Sequence, residues 1–253
     1  MSNPVFFVTP GSLDDAGPGS LIPLDGAEGR HAVTVKRLAV GEALDLVDEQ
    51  GLRVTGTVAA VHDHELVVRC ESVDREEQAS PRLVLVQALA KGDRDEQAIE
   101  SATELGVDAI IPWQAERSIV RWKGERAAKA LAKWRSVVRA AAKQSRRSRT
   151  PVVEDCVDSA GLVRRIGDAE HAFILHEQAA EPLTGRLAAL GGEPSGSAEV
   201  LLIVGPEGGI SRSELQRFQE AGALTALLGP HVLRSSSAGP AAIVVASTSL
   251  SRW

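Results

Sequence analysis

Several features that would narrow the fold quickly are missing. Only two cysteines occur in 253 residues, Cys70 and Cys156. A disulfide scaffold and a Cys-rich zinc module are both excluded, and two uncommitted thiols fit a reducing compartment. No apolar stretch nears the ~20 residues that cross a bilayer; runs such as Ala241 to Ala246 are core-sized. The first ten residues lack the basic segment and long apolar stretch of a secretory signal. The expectation is a soluble cytoplasmic protein with no membrane partner. A net positive charge is also missing. Lys plus Arg number 28 and Asp plus Glu 34, a net −6, which at face value argues against a nucleic-acid partner.

What is present is ordinary globular composition, 25% charged and 43% apolar, rather than that of a disordered chain. The length suggests two domains. Residues from about 30 to 72 read as short strands with Gly-bearing turns such as Asp48 to Gly51, a small β-barrel or β-rich domain. Asp74 to Pro81 is polar, ends in proline and is the best linker. The expected division is 1–77 and 78–253. In the second part, strands at Leu83 to Ala88, Asp108 to Trp113, His171 to Leu175, Glu199 to Val204 and Leu224 to Leu228 alternate with helices. The helices are read at Asp93 to Leu105, Glu125 to Gln144 and about Pro240 to Leu250, the proline being tolerated in a first turn. Such alternation predicts an α/β domain with a mostly parallel sheet. Gly191 to Ser197 reads as a flexible surface loop.

The charge is segregated. Between Arg117 and Arg149 lie twelve Lys or Arg and one acid, a net +11 on 33 residues, so the other 220 carry −17. At about 100° per residue, Ala127, Leu131, Trp134, Val138 and Ala142 share one helix face, and Arg126, Lys129, Lys133, Arg135, Arg139 and Lys143 share the other. The tail through Arg146 and Arg147 extends the charge. Most charge runs are solvated faces, but those mix signs. A single-sign field on an acidic chain points to a polyanion. Arg30, His31, Lys36 and Arg37 form a smaller cluster.

The last three strands run into unusual loops: Leu175-His176-Glu177, Ile203 to Ser211 with Gly205, Gly208 and Gly209, and Leu228 to Ala238. In open α/β sheets ligands bind beyond the carboxyl ends of strands. The glycines allow close backbone approach to a ligand and positive φ, and Ser211-Arg-Ser-Glu214 fits a capping box. Neither a dinucleotide fingerprint nor a phosphate-loop motif is present.

At these residues the chain resembles the SPOUT-class RNA methyltransferases, and within them the RsmE family, which methylates N3 of a uridine in 16S ribosomal RNA. The resemblance is carried by Arg30-His31, Val35-Lys-Arg-Leu38 and Gly41-Glu42; by Lys91-Gly-Asp-Arg94, Ala102 to Val107, Ile111-Pro112 and Glu116-Arg-Ser118; by Gln144-Ser145, Arg147 and Pro151; and by Gly205-Pro-Glu-Gly-Gly209, Leu228-Gly229 and Leu233-Arg234. It implies an N-terminal PUA-like RNA-binding β-barrel domain (1–77) and a SPOUT-type α/β methyltransferase domain (78–253) whose C-terminal segment threads a trefoil knot. It also implies a homodimer, with 16S rRNA of the small ribosomal subunit as partner. S-adenosylmethionine is the implied cofactor, held by Leu175, His176, Glu177, Val204, Gly205, Pro206, Glu207, Gly208, Gly209, Leu228, Gly229, Leu233, Ser235 and Ala238, mostly through backbone. RNA would be held by Arg30, His31, Lys36, Arg37, Arg117, Arg135, Arg139, Lys143, Arg146 and Arg147. Two positions depart from the family: Ser235-Ser-Ser237 stands where Thr-Glu-Thr is frequent, and Ala140 where a glutamate is.

Uracil N3 carries a proton, so its loss leaves an anion that a fixed cation would stabilise in the transition state. Arg234 is assigned that catalytic role, against the alternative of a structural arginine binding loop carbonyls. No general base is evident; His176 is an alternative. His62 and His64 lack a third ligand, so no metal is expected. Cys70 and Cys156 read as buried. Two other functions stay open: methylation of a ribose 2′-hydroxyl, and a non-catalytic RNA-binding or ribosome-assembly protein.

Overall fold

A computed structural model describes residues 3–190 and 198–253; the loop expected at Gly191 to Ser197 lies outside the described residues. The chain divides into two units, one of Met1–Gln78 with Ala142–Thr150, the other of Ala79–Ala141 with Pro151–Trp253.

The first unit is built on strands β1 (Val5–Phe7), β2 (Leu21–Leu24), β3 (Ala43–Val47), β4 (Leu52–His62) and β5 (Glu65–Arg75), with helix α1 (Gly26–Arg30) between β2 and β3. Their order is β1-β3-β4-β5-β2; only β1 and β3 pair parallel. In β4 the alternate residues Leu52, Val54 and Val58 face a core of Phe6, Leu44, Leu46, Leu66 and Val68, the period of two that a sheet with one buried face imposes. Two differences from the sequence reading stand out. Alternation fails in β3 because Asp45 is also buried, where it accepts from Arg53 Nη1 at 2.6 Å and Asn3 Nδ2 at 2.9 Å. The start of the region read as strands from about residue 30 is helical instead: α1 continues into a π-helical turn, His31–Val35.

The segment Ala142–Thr150 is a packed part of this unit, not a free tail. Ala142 joins Val5, Phe7 and Val47 in a small core. Arg53 Nη2 donates to the Arg146 carbonyl at 2.6 Å, Gly51 N to Ser148 O at 3.1 Å, and Arg149 Nη2 to Glu76 O at 2.6 Å.

The second unit contains β6 (Arg82–Ala88), α2 (Arg94–Glu104), β7 (Ala109–Gln114), α3 (Glu125–Gln144), β8 (Val152–Val153), β9 (Val157–Asp158), α4 (Ser159–Asp168), β10 (His171–Leu175), α5 (Leu183–Ala188), β11 (Glu199–Val204), α6 (Arg212–Glu220), β12 (Leu224–Ala226) and α7 (Ser235–Ser249). The last three residues of α3 group with the first unit. All strands pair parallel in the order β12-β10-β11-β6-β7-β8, with β9 also on β7. Successive residues of β6 point to opposite faces. Leu83 and Leu85 pack with Ile99, Trp134, Val138 and Ile243; Val84 and Val86 pack with Leu162, Ile166 and Phe218. Both faces are covered by helices, which is why these strands read as continuous apolar runs.

Helix α7 begins at Ser235, five residues before the expected start, and Pro240 sits inside it. Proline suits a first helical position but did not mark it here. The helix starts after Arg234, whose backbone is extended and whose carbonyl accepts from Ser237 N and Ala238 N; no side chain among the described residues caps it. Beyond the far end of α7, Arg252 Nη1 donates to Asp108 Oδ2 at 2.7 Å and Nη2 to Oδ1 at 3.2 Å, with both side chains 12% exposed. β12 is shorter than expected, ending at Ala226, and α4 and α5 were not foreseen.

Candidate active site at the carboxyl edge of the parallel sheet

Because the strands are parallel, the carboxyl ends of β12, β10, β11, β6 and β7 lie along one edge, and the three singled-out loops leave from it.

The loop after β11 buries Pro206 and leaves Glu207, Gly208 and Gly209 exposed. Gly209 has φ +72° and donates to Pro206 O at 2.8 Å, closing a tight turn. At Gly205 a Cβ would come within 2.7 Å of Ile210 Cγ1, and at Gly208 within 3.2 Å of Arg117 Cβ. Of the positive φ expected at these glycines only Gly209 adopts it, and a side chain at Gly205 or Gly208 would crowd Ile210 or Arg117. Glu207 accepts from Lys91 N at 3.3 Å and Arg94 Nη1 at 3.1 Å, which links this loop to the one after β6.

The following helix is pinned by two carboxylates. The Ser211 hydroxyl accepts from Glu214 N at 3.1 Å and Glu214 Oε2 accepts from Ser211 N at 3.0 Å, the capping box read from the sequence. Glu214 is fully buried and its Oε1 also accepts from Glu116 N at 2.7 Å and from the Ser159 hydroxyl. Glu116 accepts from Ser211 Oγ at 2.6 Å, Ser213 Oγ at 3.1 Å and Arg217 Nη2 at 2.7 Å. The Ser211 hydroxyl foremost, with Ser213 and Arg217, holds the Glu116 carboxyl below its ordinary range.

In the loop after β10, His176 N donates to Ala226 O at 3.1 Å and His176 Nδ1 accepts from Gln178 N at 3.1 Å. With Nδ1 engaged as acceptor, the neutral ring carries its proton on Nε2. Neither nitrogen is then an open base, so the arrangement favours a turn-forming role. Leu175 is half-buried against the core and Glu177 is exposed.

After β12, Leu228 and Gly229 line a cavity of about 280 Å³ together with Pro182, Leu183, Thr184, Leu227, Pro230 and Val245. Val232 is 77% and Leu233 42% exposed. Arg234 is the N-cap of α7; its carbonyl accepts from Ser237 N and Ala238 N, both at 2.9 Å. Its guanidinium is exposed and bonds no other group among the described residues, so it does not act as a clamp on loop carbonyls. Ser235 is buried and Ala238 half-buried. Among the described residues five buried side-chain polar atoms have no partner; Arg82 Nε and Ser247 Oγ lie elsewhere, while Gln87 Oε1 is near the end of β6, Ser118 Oγ after β7 and Ser235 Oγ at the start of α7. A buried polar atom left unpaired costs about 1–3 kcal/mol. An apolar hollow and unpaired polar atoms on the loops of one sheet edge suit a ligand with an apolar body and several hydrogen-bonding groups, as a nucleoside-bearing cofactor has.

Comparison with known proteins decides the family. Residues 76–247 match the RNA methyltransferase domain family and residues 24–70 the RNA methyltransferase PUA domain family. The chain is 40% identical to the ribosomal RNA small subunit methyltransferase E of Mycobacterium bovis, over 93% of this chain and 89% of that one. It is 30% identical to the protein of that name from Bacillus subtilis, over 85% of each.

The chain belongs to the ribosomal RNA small subunit methyltransferase E family.

Among solved structures it is similar to a methyltransferase of Legionella pneumophila in complex with bound SAM, with TM-score 0.80 and 30% identity over 98% of both chains. It is also similar to the methyltransferase E of Neisseria gonorrhoeae bound to S-adenosylmethionine, with TM-score 0.78 and 28% identity over 98% of both chains.

As a member of this family the chain would need exposed cations for RNA, and the ten expected ones divide. Arg30, Lys36, Arg37 and Arg146 are exposed, with side chains that bond no other group among the described residues. The rest are engaged. Arg117 Nη1 donates to Gly208 O at 3.2 Å. Arg135 Nη2 donates to Val153 O and Asp155 Oδ1, both at 3.3 Å. Lys143 is half-buried, 2.6 Å from Glu28 and 5.4 Å from the Phe6 ring centre. His31 lies edge-on to Phe6 at 6.1 Å, and Arg139 and Arg147 also have partners. The apolar face expected of α3 is present, with Trp134, Val138 and Ala142 buried. The basic face is partly neutralised, for Lys133 pairs with Glu96 at 2.6 Å.

Sequence reasoning missed Glu116, Ser159 and Glu214 as a network, and Pro182 to Thr184 with Val245 as a cavity wall. The capping-box motif was the available signal for Glu214, but a motif cannot show that the same carboxylate also serves a loop 98 residues away. Cys156, expected to be buried, is half-exposed, and its thiol is nonetheless pushed up to about 11 by burial.

Proposed function

We propose that this chain transfers the methyl group of S-adenosylmethionine to N3 of a uridine in the RNA of the small ribosomal subunit. The observation that carries the reading is the exposed Arg234 guanidinium, which bonds no other group among the described residues and stands at the N-cap of α7, five residues after the Leu228–Gly229 hollow. The cofactor supplies an electrophilic methyl on a sulfonium, and the protein supplies orientation and electrostatics. Leu228 and Gly229, with Pro182 to Thr184, would enclose the apolar part of the donor. The backbone of Val204 to Gly209, with Leu175 and Leu233, would fix its polar part, and Ser235 and Gln87 would meet its hydrogen-bonding groups. Arg234 would face the imidate formed when N3 loses its proton.

The proposal includes a functional division near residue 77, with RNA docking before it and chemistry after it; the two family matches fall on either side. It also includes a homodimer, cytoplasmic location and a knotted C-terminal segment. The strand order, with β11 between β10 and β6, is compatible with such a thread.

Labelled-methyl transfer to small subunits lacking the modification tests the reaction. A mapped reverse-transcription stop at one uridine is expected, since N3 methylation blocks pairing. Label without a stop would favour ribose methylation, and no transfer together with no donor binding would favour an assembly factor.

The RNA-docking part rests on the free cations of the first unit. Replacing Arg30 and Lys36 together by glutamine removes two potential phosphate contacts. The slope of log affinity against log salt is expected to fall by roughly 2, because each neutralised phosphate contributes about 0.9. Donor affinity stays unchanged. An unaltered slope for small-subunit RNA would exclude these residues from the interface.

A further inference from the structure

We propose that Glu116 is a positioning residue that locks the Gly205–Gly209 loop into its donor-binding form, by gripping helix α6 on one side while its neighbour Arg117 grips Gly208 on the other. The inference rests on the reading that this loop holds the methyl donor.

The geometry is a closed ring of bonds. Glu116 receives the Ser211 and Ser213 hydroxyls and the Arg217 guanidinium through its carboxylate, and its own N–H goes to Glu214 Oε1. Glu214 Oε2 returns to Ser211 N. One residue on, Arg117 Nη1 donates to Gly208 O, and a Cβ on Gly208 would come within 3.2 Å of Arg117 Cβ. The stretch Gly208 to Ser211 is therefore held at both ends by two consecutive residues of the loop after β7. The turn that leads into this stretch, Pro206–Gly209, is closed by Gly209 N to Pro206 O at 2.8 Å. It has little freedom while both grips hold, and its backbone donors are fixed before a ligand arrives.

Glu116 is 44% exposed in its side chain, whereas Glu214 is wholly buried. The two carboxylates thus have separable roles. Glu214 belongs to the core of the unit and its loss would threaten folding. Glu116 sits at the rim, where its loss frees the Ser213 hydroxyl and the Arg217 guanidinium and leaves the buried Ser211 hydroxyl with Ser213 Oγ at 3.0 Å and Glu214 N. Releasing the grip lowers the fraction of molecules with the loop in place, and apparent affinity falls by that same fraction.

The test compares wild type with Glu116→Ala and Glu116→Gln, using S-adenosylmethionine as the probe in calorimetry and in turnover. For Glu116→Ala, the donor's Kd and KM are expected to rise about tenfold, the result of a competent fraction near one tenth, with kcat changing less than twofold. Glu116→Gln keeps one acceptor oxygen for the serine hydroxyls and is expected to recover part of the loss. Hydrogen exchange of the Gly209 and Ser211 amides, measured without donor, is expected to quicken in Glu116→Ala while the amides of β6 stay protected. Unchanged Kd and unchanged exchange would overturn the proposal, as would a fall in kcat at unchanged Kd. If wild type itself binds no donor, the functional reading fails, and the exchange measurement then shows separately whether Glu116 holds the loop.

Discussion

Arg234→Ala is expected to lower kcat by about two to three orders of magnitude at saturating donor and RNA, the usual cost of removing one group that stabilises developing charge. Donor affinity should change little, because the side chain projects from the cap of α7 into solvent and supports no other group among the described residues. The argument follows from uracil chemistry. Before N3 can attack a methyl group it must shed a proton, and the charge spreads over N3 and the two flanking carbonyl oxygens. A guanidinium stays protonated throughout and presents several donors in one plane, which suits an anion spread over adjacent atoms. A lysine at this position would restore the charge but not the fork, so Arg234→Lys should recover only part of the rate. Near-normal kcat for Arg234→Ala would remove it from the mechanism.

Where sequence patterns describe interactions between near neighbours, they were sufficient. The strands at His171–Leu175 and Glu199–Val204 have the bounds that their apolar runs suggested, since a parallel sheet covered on both faces leaves no polar alternation to blur the ends. The stripe Trp134, Val138 and Ala142 is buried because helical spacing is a local property. The glycine loop and the capping box were visible for the same reason.

What the sequence hid depends on distant partners. Lys143 counts as one more positive charge until Glu28, 115 positions away, is found against it. Arg117, Arg135 and Lys143 are equal to Arg30 and Lys36 in any charge count, yet the first three are occupied and the last two are free. That Gly205 packs on Ile210 and Gly208 on Arg117 also depends on partners that the glycines themselves do not announce. The net −6 concealed a basic segment, and that segment in turn concealed its own internal neutralisation.

The second large effect concerns stability. Asp108→Ala is expected to destabilise the fold by about 3–5 kcal/mol, the typical result of breaking a buried ion pair by removing one partner. For a chain of this size each kcal/mol lowers Tm by about 2–4 °C, so a fall on the order of 10 °C is expected in a thermal melt. Asp108 holds both nitrogens of Arg252, and its Oδ2 also accepts from Leu83 N at 2.7 Å. Its removal leaves that amide unpaired at the start of β6 and strands a guanidinium only 12% exposed. Two weaker acceptors would remain, Pro81 O at 3.1 Å and Gly106 O at 3.4 Å. Arg252→Met removes the cation and leaves Asp108 with Leu83 N, so it should cost less. The double variant Asp108→Leu with Arg252→Met should be more stable than Asp108→Ala, because no buried charge is then left without its counterion. If Asp108→Ala shifts Tm by under 2 °C, or the double variant melts lower than the sum of the single shifts, the pair is not the anchor of the chain end. The anchor matters for catalysis because Arg252 lies just beyond the helix whose first turn follows Arg234. A frayed end would loosen α7 where it packs on β6 and β11, so Asp108→Ala should lose turnover on warming well before the sheet itself melts.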